Sequence, residues 1–233
     1  MRDSTRPLVK ICGIREERTL EGMNGLPVDY VGFVFAKSKR QVTPSRAAAL
    51  LETASRTTMA GGRPPRAVGV FVDPTMEELA DTLRTVRLDV VQLHGRETPA
   101  FCREAAARFG VEIWRALPAE GSEADEASPS AEEEAGAARL QAYRGAVSAV
   151  LIDTAGGGTG KTFRWDLIPD YQEEARKLGL KLFVAGGLSP DNVGELLARY
   201  APDGVDISSG VETEGVKDNA KIAAFAERVK QSI

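Results

Sequence analysis

Eight short β-rich runs recur along the chain, and the segments between them are helical or loop-like: Leu8–Gly13, Tyr30–Phe35, Ala67–Val72, Asp89–Gly95, Val111–Ala116, Val147–Asp153, Leu180–Ala185 and Gly204–Ser208. No run is followed by another without such a crossover. Alternation of this kind is the sequence form of parallel βαβ units, because parallel neighbours cannot be joined by a tight turn. Helical segments are expected over Arg15–Met23, Ser45–Ser55 (capped by Thr43 or Ser45), from Thr75 onward, and over Pro99–Phe109, Ala137–Tyr143, Trp165–Leu178, Ser189–Tyr200 and Lys217–Gln231. Thr75-Met76-Glu77-Glu78 has the form of a capping box.

Eight such units in 233 residues approach the roughly 250 residues typical of a closed (β/α)8 barrel. The expected architecture is therefore one α/β domain over residues 1–233, a TIM barrel around a closed parallel eight-stranded sheet. A doubly wound open sheet is the runner-up, but no G-x-G-x-x-G lies between the first strand and its helix to support it. One stretch falls outside the pattern. Residues 119–134 are rich in Ala, Glu, Ser, Asp and Pro without apolar periodicity, which reads as a solvated acidic insertion in the barrel.

A net charge of −4 and the lack of a basic stripe interleaved with aromatics give no electrostatic case for a nucleic-acid partner. Charge, Gly or Pro interrupts every apolar run, so neither a signal peptide nor a membrane span is expected, and the chain is assigned to the cytoplasm. Cys12 and Cys102 form no C-x-x-C pair, and His94 is the single histidine. Free thiols in a reducing compartment and no metal site are the expectations.

In a barrel of this class the site lies at the carboxyl ends of the strands. The residues closing the runs are Cys12, the Phe35–Arg40 loop, Asp73, His94, Asp153, Gly186-Gly187 and Asp206–Gly210. Thiol, imidazole, carboxylate and basic groups thus converge on one mouth. Glycine-rich exits after the seventh and eighth runs, with Gly186, Gly187, Ser208, Ser209 and Gly210, occupy the place where such barrels bind phosphate on backbone N–H groups. A phosphorylated small molecule is the expected ligand. Asp153 ends an apolar run and passes into a further glycine cluster containing Gly157, Gly158, Thr159 and Gly160, a loop beside the site.

In order along nearly the whole chain, Val9-Lys10-Ile11-Cys12-Gly13-Ile14, Val31-Gly32-Phe33-Val34-Phe35 with Ser38 and Arg40, Val70-Phe71-Val72, Val91-Gln92-Leu93-His94-Gly95, Leu151-Ile152-Asp153 with Gly157–Phe163, Gly186-Gly187-Leu188 and Asp206–Glu212 resemble the phosphoribosylanthranilate isomerases of tryptophan biosynthesis. The cysteine ending the first strand and the aspartate ending the sixth set that family apart from other phosphate-binding barrels. The resemblance implies a cofactor-free Amadori rearrangement of N-(5-phosphoribosyl)anthranilate to 1-(2-carboxyphenylamino)-1-deoxyribulose 5-phosphate. It makes Cys12 the general base and Asp153 the general acid.

It also implies that Arg40 grips the anthranilate carboxylate, a surface cation being the alternative; Asp206 either meets the substrate's amino group or sugar or is a structural strand-end carboxylate. His94 either lines the pocket or is bonded to backbone. Lys10, two residues before Cys12 and so on the same side of the strand, either lowers the thiol pKa or balances carboxylates. Cys102, amid Phe101 and alanines, is read as a small buried hydrophobe. Departures from the family pattern are the 119–134 insertion, the Gly/Pro-rich connection 57–66, and Arg164 in place of an acid. Monomer and homodimer both stay open. Rival readings are another phosphosugar barrel, such as an indoleglycerol-phosphate synthase or an isomerase with paired carboxylates, and a non-catalytic barrel that only binds phosphosugars.

Overall fold

The computed structural model describes residues 6–119, 136–154 and 164–231. Strands β1 (Leu8–Cys12), β2 (Tyr30–Val34), β3 (Arg66–Phe71), β4 (Val90–Leu93), β5 (Glu112–Pro118), β6 (Ala149–Asp153), β7 (Lys181–Val184) and β8 (Gly204–Ile207) form a closed barrel in sequence order. Every neighbouring pair is parallel, and β1 closes on β8 with Leu8 opposite Gly204 and Lys10 opposite Asp206. The expected (β/α)8 architecture is therefore observed.

Helices α1 (Glu17–Gly22), α2 (Pro44–Ala54), α3 (Met76–Thr85), α4 (Pro99–Phe109), α5 (Ile168–Leu178), α6 (Val193–Tyr200) and α7 (Asn219–Gln231) form the outer layer, and a 3-10 segment, Gly136–Tyr143, stands where the fifth helix of the repeat is expected. Each helix turns one apolar stripe inward. In α7 the buried positions Ile222, Phe225, Ala226 and Val229 follow the i, i+3, i+4, i+7 spacing of a helix face. Local chemistry fixes the starts. Thr43 caps α2 ahead of Pro44, Thr98 caps α4 ahead of Pro99, and Thr75 and Glu78 complete a reciprocal capping box on α3.

Four helices start later than the sequence suggests: α1 begins at Glu17, α5 at Ile168 after a 3-10 turn over Trp165–Leu167, and α6 and α7 later still for local reasons. Ser189–Asn192 is a turn closed by the Ser189 N–H donating to Asn192 Oδ1 at 2.8 Å, so α6 begins at Val193. Val216–Lys217 pairs antiparallel with Glu212–Thr213, forming a small β9–β10 hairpin (Glu212–Thr213, Val216–Lys217) before α7. All but Ala119 of the acidic stretch 119–134 lies outside the described residues, as does the 157–160 loop.

At the amino ends of the strands a device repeats. Asp29, Asp89 and Asp203 each directly precede an even-numbered strand, and each carboxylate accepts the N–H of the second residue of the preceding strand: Val9 at 2.8 Å, Ala67 at 2.7 Å and Leu182 at 2.8 Å. A strand-entry N–H that lacks a ladder partner is thereby satisfied. Before β6 the same position holds Ser148, whose hydroxyl donates to Glu112 Oε2 at 3.1 Å. Inside the barrel Tyr30, Trp114 and Phe183 pack together with ring centroids 4.5 to 5.9 Å apart. Gly204 makes room for this cluster, since a Cβ there would press into the Phe183 ring.

Candidate active site

Side chains alternate across a strand, so the residues two apart on β1, β4, β6 and β8 project into the interior and climb toward its mouth. On β1 these are Lys10 and Cys12; on β8 it is Asp206, with Ser208 just past the strand's end. Lys10 is fully buried, and its Nζ donates to Asp206 Oδ2 at 2.9 Å. Burial alone would push the Lys10 ammonium down, yet Asp206 and the Cys12 sulfur beside it hold it above its ordinary value. Asp206 Oδ1 is buried and has no partner among the described residues. An orphaned carboxylate oxygen is free to accept from a group that the described residues do not supply.

Cys12 ends β1 with 8% exposure. Burial pushes its thiol up, and the pull of Lys10 and Lys217 toward thiolate only partly offsets that. Lys10 therefore acts in the direction the sequence suggests without outweighing burial. Space for the sulfur comes from β2, where a Cβ on Gly32 would stand 2.8 Å from Cys12 Sγ.

Asp153 closes β6, 6% exposed. Burial raises its carboxyl to about 6, against the lowering effect of the Thr154 N–H, which donates to Oδ1 at 2.7 Å. His94 lies above β4 with Nε2 3.8 Å from Asp153 Oδ2. Burial, reinforced by Lys10 and Arg115, lowers the imidazole to about 4, so at neutral pH this contact involves an uncharged ring. Two residues below His94, Gln92 is buried with Oε1 unpartnered among the described residues. The Lys10–Asp206 pair thus acts on Cys12, His94 and Asp153 alike.

The loop that carries His94 is held from outside the barrel. Arg115 donates to the carbonyls of Leu93 at 3.0 Å and Gly95 at 2.6 Å, on either side of the histidine, and to the Tyr143 hydroxyl at 3.1 Å. Glu97 accepts from the N–H groups of Gly95 and Asp73, at 2.9 Å each. Asp73 itself turns its carboxylate to the Arg96 N–H at 2.6 Å. Of the strand-end residues singled out in the sequence, Asp73 is thus tied into this loop instead of reaching the cluster. Cys102 lies fully buried inside α4, its thiol pushed up to about 11 by burial, as a small hydrophobe does.

Arg40 is not a free surface cation. It is 9% exposed, and its Nε and Nη2 donate to Glu212 Oε1 and Oε2 at 2.6 and 3.0 Å. Burial would raise Glu212, but hydrogen bonds from Arg40 and Lys217 hold it at about 2. Neither Glu212 nor Lys217 stands out as a site residue in the sequence. Glu212 was visible as the last residue of a motif, while Lys217 was read as the start of a helix.

After β7, Gly186 and Gly187 adopt φ of +82° and +62°, a conformation that favours glycine. A Cβ on Gly186 would also stand 2.8 Å from Asp153 Oδ1. After β8, Gly210 abuts the Leu188 carbonyl so closely that no Cβ fits. The two glycine exits are pressed together, and among the described residues the N–H groups of Gly186, Gly187, Ser209 and Gly210 find no acceptor. Free, clustered N–H groups are what an anion binds. Among the described residues no group of three or more His, Cys, Asp and Glu side chains is placed to hold a metal ion, and no helix is long and apolar enough to cross a membrane.

The family model for N-(5'phosphoribosyl)anthranilate (PRA) isomerase matches residues 9–228. An N-(5'-phosphoribosyl)anthranilate isomerase of Brevibacillus brevis is 48% identical over 226 residues, 95% of this chain and 93% of the relative. That of Bacillus subtilis is 32% identical, with 98% and 97% covered. Among solved structures, the phosphoribosyl anthranilate isomerase of Thermotoga maritima superposes with a TM-score of 0.75 at 32% identity, covering 97% of this chain and 99% of that one. A phosphoribosyl anthranilate isomerase in complex with reduced 1-(o-carboxyphenylamino)-1-deoxyribulose 5-phosphate gives 0.73 at 32% identity, with the same coverage. By sequence over nearly its full length and by fold, the chain belongs to the N-(5'-phosphoribosyl)anthranilate isomerase family.

Proposed function

We propose that the chain isomerises N-(5-phosphoribosyl)anthranilate to 1-(2-carboxyphenylamino)-1-deoxyribulose 5-phosphate in tryptophan biosynthesis, with Asp153 as general acid and Cys12 as general base. One observation carries the assignment. A carboxyl that holds its proton up to about pH 6 and a thiol beside a buried ammonium open into one barrel mouth, joined electrostatically through Lys10 and Asp206.

Asp153 donates its proton to the furanose oxygen while the C1–O bond breaks and the nitrogen lone pair forms the C1=N iminium. Cys12, as thiolate, takes the C2 proton; the C–H electrons become the C1=C2 double bond and neutralise the nitrogen. The resulting enolamine tautomerises to the ketose, so no atom or electron is gained or lost. A thiol pushed up by burial is a poor base in the free chain. The cationic nitrogen of the intermediate adds to Lys10 and Lys217 in favouring the thiolate at the step that needs it.

Asp206 Oδ1, without a partner among the described residues, accepts from the substrate's amino group or a sugar hydroxyl. Neutral His94 lines the pocket beside Asp153. Arg40 has five N–H donors, of which Glu212 takes two, and the rest suit the anthranilate carboxylate. The phosphate rests on the N–H groups of Gly186, Gly187, Ser209 and Gly210, beside Ser208. Gly157, Gly158, Thr159 and Gly160 belong to the loop following Asp153.

Loss of anthranilate-type fluorescence, on adding the protein to substrate generated in situ, is the direct assay. Cys12→Ser and Asp153→Asn should each lower turnover by about 10² to 10⁴ with little change in affinity for the reduced product. Near-normal turnover in Cys12→Ser would instead favour a phosphosugar barrel working through paired carboxylates.

A further inference from the structure

Arg40, Glu212 and Lys217 have side chains 11%, 6% and 4% exposed. Burying three charges costs more in lost hydration than their attraction reliably returns, so such a cluster is weak evidence for stability and invites another explanation. Its connections supply one. Glu212 Oε1 accepts from Arg40 Nε at 2.6 Å and from Lys217 Nζ at 2.8 Å. Lys217 Nζ spends its remaining donors on the Ser208 carbonyl at 2.8 Å and the Ser208 hydroxyl at 3.3 Å. That hydroxyl in turn donates to the Cys12 carbonyl at 3.0 Å. An unbroken chain of contacts therefore runs from the Arg40 guanidinium through Glu212, Lys217 and Ser208 to the backbone of the thiol.

The local backbone is shaped to make this chain. Lys217 and Glu212 are directly opposed in the β9–β10 hairpin, where cross-strand side chains meet. Its two turn residues, Glu214 and Gly215, have φ of +52° and +78°, as a type I′ turn requires. Arg15 ties the tip to the loop that carries Arg40, donating to the carbonyls of Gly215 and Lys39 at 2.9 Å each. On the other side of Arg40, Gly13 leaves space that a Cβ would take, 2.6 Å from Arg40 Cδ. The charges of the cluster sum to +1 once Arg40 and Lys217 are set against Glu212, so it retains an unmatched positive charge for an anion.

We propose that Glu212 and Lys217 are positioning residues for the isomerisation. Neither reacts; together they fix the plane of Arg40 and the place of Ser208, so that the carboxylate and phosphate ends of one substrate are held at a set spacing about Cys12. This rests on the reading that Arg40 receives the anthranilate carboxylate.

The test compares affinity for reduced 1-(o-carboxyphenylamino)-1-deoxyribulose 5-phosphate with affinity for its counterpart lacking the carboxylate. The wild-type chain should prefer the first, and Arg40→Ala should abolish the preference. Glu212→Gln and Lys217→Met should each cut the preference about tenfold or more, the range expected when a charged hydrogen-bond partner is lost. Lys217→Arg should recover most of it. The cut should appear in KM while the pH dependence of turnover keeps its limbs. Where Glu212→Gln does not fold by circular dichroism, Glu212→Asp, which keeps the charge on a shorter arm, takes its place with the same expectation. A wild-type preference surviving in both the Glu212 and Lys217 variants overturns the proposal while leaving Arg40's role intact. No preference in the wild-type chain, or none lost in Arg40→Ala, overturns that role as well.

Discussion

Toward the amino ends of its strands the barrel interior is filled by Tyr30, Trp114 and Phe183 with Val68, Val90, Ala149 and Leu151; toward the carboxyl ends β1, β4, β6 and β8 present Lys10, Cys12, His94, Asp153 and Asp206. The lower region is apolar and close-packed. The upper one holds buried charge, a carboxyl raised to about 6 and an imidazole lowered to about 4. On β6 the change takes two residues, from Leu151 to Asp153, and on β8 two more, from Gly204 to Asp206. Because alternate residues of one strand serve both regions, the lower core can anchor the geometry of the upper without sharing its chemistry. Stability and reactivity are stacked along one axis.

Trp114→Ala would break the comparison most heavily. Removing the middle of the aromatic cluster should cost about 3 to 5 kcal/mol, read as a lower denaturant midpoint, while the folded variant keeps the wild-type pH dependence of kcat/KM. Loss of that dependence at full folding would mean the two regions are not separable.

Asp153→Asn should do the reverse, stabilising the fold as it removes activity. The folded pKa of about 6 lies above the ordinary 3.8, so the native state holds its proton to higher pH than the unfolded chain. The stability that Asp153 contributes is therefore fully present below pH 3.8 and is lost as pH rises toward 6. Asparagine avoids that loss and should gain about 2 to 3 kcal/mol at pH 8 and nothing at pH 3. In the wild-type chain kcat/KM should rise through pH 6 and fall only where the thiol titrates. With the acid's pKa below the base's, the reactive form is a minor tautomer of the singly protonated pair, and its share is constant between the two limbs. The residual activity of the variant should lack the limb near 6.

The smallest effect belongs to the strand entries. Asp203→Ala removes the acceptor of the Leu182 N–H and should cost about 1 kcal/mol without altering KM. A larger loss confined to KM would show that the amino-end carboxylates reach the site.

Local pattern made the barrel legible, since strand runs, capping threonines and the Thr75–Glu78 box are written in neighbouring residues. Cys12 and Asp153 were equally visible, each ending its apolar run. Pairings across long separations were not. Nothing near Arg40 announces Glu212, 172 residues away, and nothing near His94 announces Arg115, which brackets it through the carbonyls of Leu93 and Gly95. The β9–β10 hairpin escaped because two-residue strands carry no periodicity and Lys217 abuts a strongly helical segment. Burial also outweighs one effect that charge alone suggests. Lys10 does favour the Cys12 thiolate, but only the folded interior reveals how much desolvation opposes it.

The contact between Lys10 and Asp206 spans 196 residues of chain and joins the first strand to the last. Ser208 and Cys12 are joined across the same seam. A chain emerging from synthesis carries its thiol from the outset, yet the carboxylate that balances Lys10, the hydroxyl beside the Cys12 carbonyl and the second glycine exit arrive only with β8. Closing so long a loop is entropically costly and slow. The strand that buries Lys10 is the one that brings its counter-ion, so the assembly of the site and the sealing of the fold are the same event.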